Sequence, residues 1–61
     1  MDPEIAKIFL NKPVEITFID NFVLHGKIIS VDPNGIVFQT NQKTSYICFS
    51  RISVIVLEGS Q

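Results

Sequence analysis

Few residues in this chain could do chemistry. One histidine, His25, and one cysteine, Cys48, stand apart, and the run Phe49-Ser50-Arg51 sets a ring and a hydroxyl beside a guanidinium. An aromatic ring can stack on a planar base while a guanidinium hydrogen-bonds a base edge or a phosphate. Each residue also has a plainer reading. Phe49 beside a cysteine in a strand is a core or interface residue, Ser50 is a turn residue, and Arg51 is a solvated loop arginine. Cys48, among apolar neighbours, reads as a buried structural thiol. His25 and Cys48 fall on different predicted strands with no third group to orient them, so no nucleophile–base pair is expected. The sequence has no phosphate-cradling glycine loop and no His/Cys metal spacing. The expectation is a non-enzymatic chain without metal or cofactor.

The elements that must position these residues are short. Asp2 is a good N-cap and Pro3 suits the first helical position, so a brief helix opens the chain. Ile5, Ile8 and Phe9 would form its apolar stripe, and Asn11-Lys12-Pro13 would end it. Val14, Ile16 and Phe18 alternate with polar residues as a half-buried strand. An Asp20-Asn21 turn follows, and a long strand runs from Phe22 to Val31 with Gly26 near its middle. A glycine inside a strand marks a bulge, a bend or a close backbone approach. Asp32-Pro33-Asn34-Gly35 is a strong turn signal. Further strands are expected over Ile36 to Thr40, Thr44 to Phe49 and Ile52 to Leu57. The tail from Glu58 to Gln61 reads as frayed. The fold class is all-β with a short N-terminal helix: one five-stranded, strongly bent small barrel over residues 1–61.

Composition limits how such a barrel can be stabilised. Sixty-one residues make one marginal domain, yet 46% are hydrophobic and 18% charged, too apolar for disorder. One cysteine excludes an internal disulfide and fits a reducing cytoplasm. Self-association is then the expected source of extra stability. Tyr46-Ile47-Cys48-Phe49 and Val54-Ile55-Val56-Leu57 are apolar at consecutive positions, so both faces of the last two strands want burial. Either the helix covers them or they are edges that pair with neighbouring subunits. No run approaches the roughly 18 apolar residues of a membrane span, and the acidic start lacks the basic region of a signal peptide. A cytoplasmic protein without a membrane partner is expected.

Helix plus five bent strands resembles the Sm/Lsm superfamily, most closely the bacterial Hfq family. The resemblance is carried by Pro13-Val14, the Asp20-Asn21 turn, Leu24-x-Gly26, Ser30-x-Asp32 and Ile52-Ser53, and by Asp2-Pro3 at the helix start. It implies a cyclic homo-oligomer, a hexamer in preference to a heptamer, in which strand four of one subunit pairs with strand five of the next. It also implies single-stranded RNA binding. The pore-side positions implied are Pro33, Asn34, Phe49, Ser50 and Arg51; Phe22 and His25 would lie on the other face. The chain departs from the family here. The family's Tyr-Lys-His-Ala signature is replaced by Cys48-Phe49-Ser50-Arg51, and its glutamine–aromatic pair after the aspartate by Pro33-Asn34.

Charge gives limited help. Five basic residues stand against six acidic ones, a net charge of −1, with no basic run. Nucleic-acid affinity rests on clustered cations. A ring could still gather one Arg51 per subunit, with Asn34 beside it; Lys7 and Lys12 are a weak rim patch or a solvated helix face. Two functions follow: a ring that binds single-stranded RNA with altered specificity in RNA metabolism, or a ring that serves as a protein-interaction or structural module.

Overall fold

A computed structural model describes residues 2–58. Its elements are α1 (Pro3–Ile8), β1 (Pro13–Phe18), β2 (Val23–Val31), β3 (Gly35–Gln39), β4 (Thr44–Cys48), a 3-10 turn η1 (Phe49–Arg51) and β5 (Ile52–Leu57). The strands form one antiparallel sheet in the order β4-β3-β2-β1-β5, so β4 and β5 are its two edges. This is the expected helix and five strands, with strand ends shifted by one residue and a helical turn where strand four was to finish.

Local chemistry explains most boundaries. The Asp2 carboxylate accepts from the Glu4 N–H at 3.0 Å and caps α1. Asn21 has φ 71° and closes the β1–β2 hairpin in the left-handed region that asparagine tolerates. Thr40 Oγ1 accepts from the Gln42 and Lys43 N–H groups and shapes the β3–β4 turn.

One expectation is corrected, and one that left three roles open to Gly26 is resolved. The buried arc of the helix is Ala6 with Phe9 and Leu10 packed against the core, whereas Ile5 and Ile8 are exposed. Both triplets share the i, i+3, i+4 spacing, so periodicity fits either. Ala6 lets the helix backbone approach the sheet closely. The bulge of β2 is not at Gly26. The β2–β3 register shifts between Ile28 and Ser30, leaving Ile29 as the extra residue. Gly26 is instead a close approach: a Cβ there would stand 2.2 Å from the Gln39 carbonyl oxygen. A second irregularity, between Thr17 and Phe18, falls in the β1–β5 ladder.

The bent sheet encloses Val14, Ile16 and Phe18 of β1, Ile28 of β2, Ile36 and Phe38 of β3, Ile47 of β4, Phe49 of η1 and Ile52 of β5. No polar or charged residue is buried among the described residues. Glu58, where fraying was expected to begin, donates its N–H to the Pro13 carbonyl at 2.9 Å. The rest of that tail, 59–61, lies outside the described residues. No helix is long and apolar enough to cross a membrane.

Candidate nucleic-acid interface

The Asp32 turn is the most tightly organised polar feature. Asp32 Oδ1 accepts from the Asn34 and Gly35 N–H groups at 2.8 and 2.7 Å. The Tyr46 hydroxyl donates to the same carboxylate from β4, 2.9 Å from Oδ1 and 3.1 Å from Oδ2. Gly35 makes room for that ring, since a Cβ would stand 2.9 Å from Tyr46 Cζ. The Asn34 N–H, the tyrosine hydroxyl and the Gly35 N–H all favour the ionised form and hold the Asp32 carboxyl below its usual range. Desolvation and the adjacent carboxylate push the Tyr46 phenol up.

This turn is joined to η1. The Phe49 N–H donates to the Asn34 carbonyl at 2.9 Å. Pro33, Asn34, Ser50 and Arg51 are exposed at this junction, so residues 15 or more positions apart in the chain become neighbours. Phe49 departs from its expected stacking role. Its side chain is 6% exposed and belongs to the core, so it presents no face to a base. Cys48 departs in the opposite sense: it is exposed, not buried. The cause is period-2 alternation, with Ile47 and Phe49 inward and Cys48 outward.

Arg51 reaches away from the junction. Its guanidinium lies 5.9 Å from the centroid of the Phe18 ring, within cation–π range. Phe18 in turn meets Phe22 edge to face at 6.2 Å. Phe22 is 62% exposed, unusual for a phenylalanine. Asp20 Oδ1 accepts from the Phe22 N–H at 3.1 Å and fixes the loop that carries it. A cleft of about 790 Å³ runs between this loop and the β3–β4 turn, lined by Phe18, Phe22, His25, Asn41, Lys43 and Arg51 among others. Phe22 and His25 were expected on the face opposite Arg51; all three line this cleft. Its walls combine an exposed ring, the two cations Lys43 and Arg51, the amides of Asn41 and Gln42 and one carboxylate, Asp20, so a base can stack there and a phosphate can pair with the cations away from Asp20. A shallower hollow of about 280 Å³ lies on the other side of Arg51, toward Ser50 and Cys48.

Lys43 and Asn41 were missed from sequence because Asn41-Gln42 reads only as a hairpin turn, with Lys43 beside it. The inward direction of Phe49 was available from its two-residue spacing to Ile47. His25 has a further partner. Its Nδ1 lies 2.5 Å from Glu58 Oε2, and Glu15 stands close by.

No family model matches the sequence. No curated protein matches it either. Solved structures do match. A crystal structure of the pleiotropic translational regulator Hfq superposes with a TM-score of 0.82 at 21% sequence identity, covering 90% of this chain and 86% of that one. The helix, the five antiparallel strands and their match to Hfq give this chain the Sm-like fold.

Proposed function

We propose that this chain is a subunit of an Sm-like homo-oligomeric ring that binds single-stranded RNA and acts, without catalysis, in post-transcriptional regulation in the cytoplasm. The observation that carries the reading is the cleft that the exposed Phe22 ring lines together with Arg51 and Lys43. One base stacks on Phe22 while the two cations hold the flanking phosphates. Pro33, Asn34 and Ser50 form a second contact surface at the Asp32 turn. The fold likeness to a translational regulator supports the regulatory role.

The sheet edges support the ring. Tyr46 on β4 and Val54, Val56 and Leu57 on β5 are all exposed apolar residues. Pairing β4 of one subunit with β5 of the next covers them and satisfies both open ladders. A hexamer is the size we favour.

Titrating short oligo-U and oligo-A at several salt concentrations tests the binding. Binding of either oligomer at low salt is expected. Phe22→Ala should cost about 1–3 kcal/mol per stacked base. Arg51→Ala should lower the salt slope by roughly 0.7 for each phosphate that the guanidinium had neutralised. No binding of either oligomer at low salt sinks the RNA reading. The net charge of −1 and the exposed Ile5 and Ile8 on α1 would then favour the second reading, a protein-interaction ring.

A further inference from the structure

We propose that Glu15, His25 and Glu58 form a binding site for a divalent transition-metal ion, with Zn²⁺ the best fit. The inference does not rest on the RNA reading, since it requires no nucleic acid, although His25 also lines the cleft described above.

Topology builds it from residues far apart in the chain. The β1–β2 register sets Glu15 directly opposite His25, so both side chains stand on the same face of the sheet. Glu58 follows β5, the other neighbour of β1, and its N–H bond to the Pro13 carbonyl draws it alongside the start of β1. Three strands thus deliver one imidazole and two carboxylates to one spot. One ligand atom from each lies within 4.8 Å of the other two. His25 Nδ1 and Glu58 Oε2 are already 2.5 Å apart. A tetrahedral Zn²⁺ bound at about 2.0–2.2 Å holds its ligand atoms roughly 3.3 Å from one another. Small rotations of the two glutamate side chains cover the difference.

Charge favours a cation here. Lys27 lines the same hollow as His25 and Glu58, but among the described residues neither Glu15 nor Glu58 forms an ion pair with it or with any other lysine or arginine. The two carboxylates converge on a single imidazole, which neutralises at most one of them. A divalent ion balances both and takes the position between Nδ1 and Oε2. The donor set chooses the class of ion. Calcium and magnesium prefer all-oxygen shells, whereas imidazole with carboxylate suits zinc, copper or nickel. The His25 and Glu58 side chains are 58% and 36% exposed, so an ion can enter and water can complete the fourth position. The rival arrangement is a simple His25–Glu58 ion pair with Glu15 as bystander. It needs no metal and is indifferent to Glu15.

Calorimetric titration of the full chain with ZnCl₂ separates the two. The exposed thiol of Cys48 is another zinc donor, so the titration is run in a Cys48→Ser background. One Zn²⁺ per chain is expected, with no binding of Mg²⁺ at the same concentrations. Affinity should fall at least about tenfold in each of Glu15→Gln and Glu58→Gln, and saturable binding should vanish in His25→Ala. Acidification should weaken binding, because proton and metal compete for the same nitrogen. Zn²⁺ should also raise the melting temperature of the Cys48→Ser parent and leave that of His25→Ala unmoved. Absence of saturable Zn²⁺ binding overturns the site, and so does unchanged affinity in any one of the three variants. If His25→Ala does not fold, the two near-isosteric glutamine variants decide the matter.

Discussion

The centre and the edges of this sheet are built differently. On β1 and β3 the apolar side chains turn inward: Val14, Ile16, Ile36 and Phe38 are fully buried. The edges do both: Ile47 of β4 and Ile52 of β5 are buried, whereas Tyr46 on β4 and Val54, Val56 and Leu57 on β5 face out. The central strands have a ladder on both sides, whereas β4 and β5 each have one. A single chain therefore completes its core but not its sheet. The centre specifies the fold, and the edges leave a ladder open on each side of the sheet.

Phe38→Ala attacks the centre and carries the largest expected effect. Phe38 is fully buried, and removing such a ring costs about 3–5 kcal/mol. A domain this small has little stability beyond that. Denaturant titration should find the variant largely unfolded in buffer. A well-folded variant would mean that the core is not the main support.

Gly26→Ala tests the backbone rather than the core. The added Cβ meets the Gln39 carbonyl at 2.2 Å, a main-chain atom held in the β2–β3 ladder that cannot rotate aside. A loss of about 1–3 kcal/mol is expected, as for overpacked sites. Equal stability of variant and parent would show that β2 and β3 can separate there without penalty.

Val54→Lys turns to an edge. Val54 is 45% exposed and lies opposite Thr17, so the change within one chain should be about 0.5 kcal/mol or less. Its effect on assembly should be complete, because the charge lies where a partner strand would dock. Native mass spectrometry should find a ring for the parent and a monomer for the variant. The parent's melting temperature should rise with protein concentration, and the variant's should not. A parent that is monomeric at micromolar concentration breaks the contrast between centre and edges.

Much of this architecture was legible from local pattern. Alternation in Val14, Ile16 and Phe18 and the turn chemistry of Asp20-Asn21 and Asp32-Pro33-Asn34-Gly35 marked the first three strands, and Asp2-Pro3 marked the helix. What stayed hidden depends on non-local packing. The bulge at Ile29 arises from how β2 and β3 align, and nothing in the residue types singles it out against Gly26. Ala6 and Ile5 lie on adjacent arcs of the helix, and the sheet beneath takes the arc with the smaller residue. Of the candidate site, the meeting of the Asp32 turn with the Phe49–Arg51 turn, joined by the Phe49 N–H bond to the Asn34 carbonyl, was expected through family resemblance. The cleft joining Arg51 to Phe22 was not, because it depends on Phe18 standing between them. Glu15, His25 and Glu58 were invisible for a related reason. A motif search reads along the chain, whereas these residues meet across three strands.

The smallest predicted effect lies where centre and edge touch, at the bond between Tyr46 of β4 and the Asp32 turn. The folded-state pKa of Asp32 is lowered, so the group binds its proton more readily when unfolded. Its contribution is therefore fully present above the unfolded carboxyl value and is lost as pH falls through the lower folded value. Asp32→Asn keeps an oxygen that can accept from the Asn34 and Gly35 N–H groups. It removes the charge that strengthens those bonds and the one from Tyr46. The parent should therefore melt slightly above Asp32→Asn at neutral pH, and the gap should close as pH drops below about 4. Tyr46→Phe deletes one donor and leaves the two N–H bonds, so the carboxyl should titrate nearer its ordinary value, a shift measurable by side-chain NMR. A gap between parent and Asp32→Asn that is constant from neutral to acid pH would mean that shape, not charge, holds this turn. Beyond the β3–β4 ladder, the edge strand would then be tied to this turn by packing of the Tyr46 ring over Gly35.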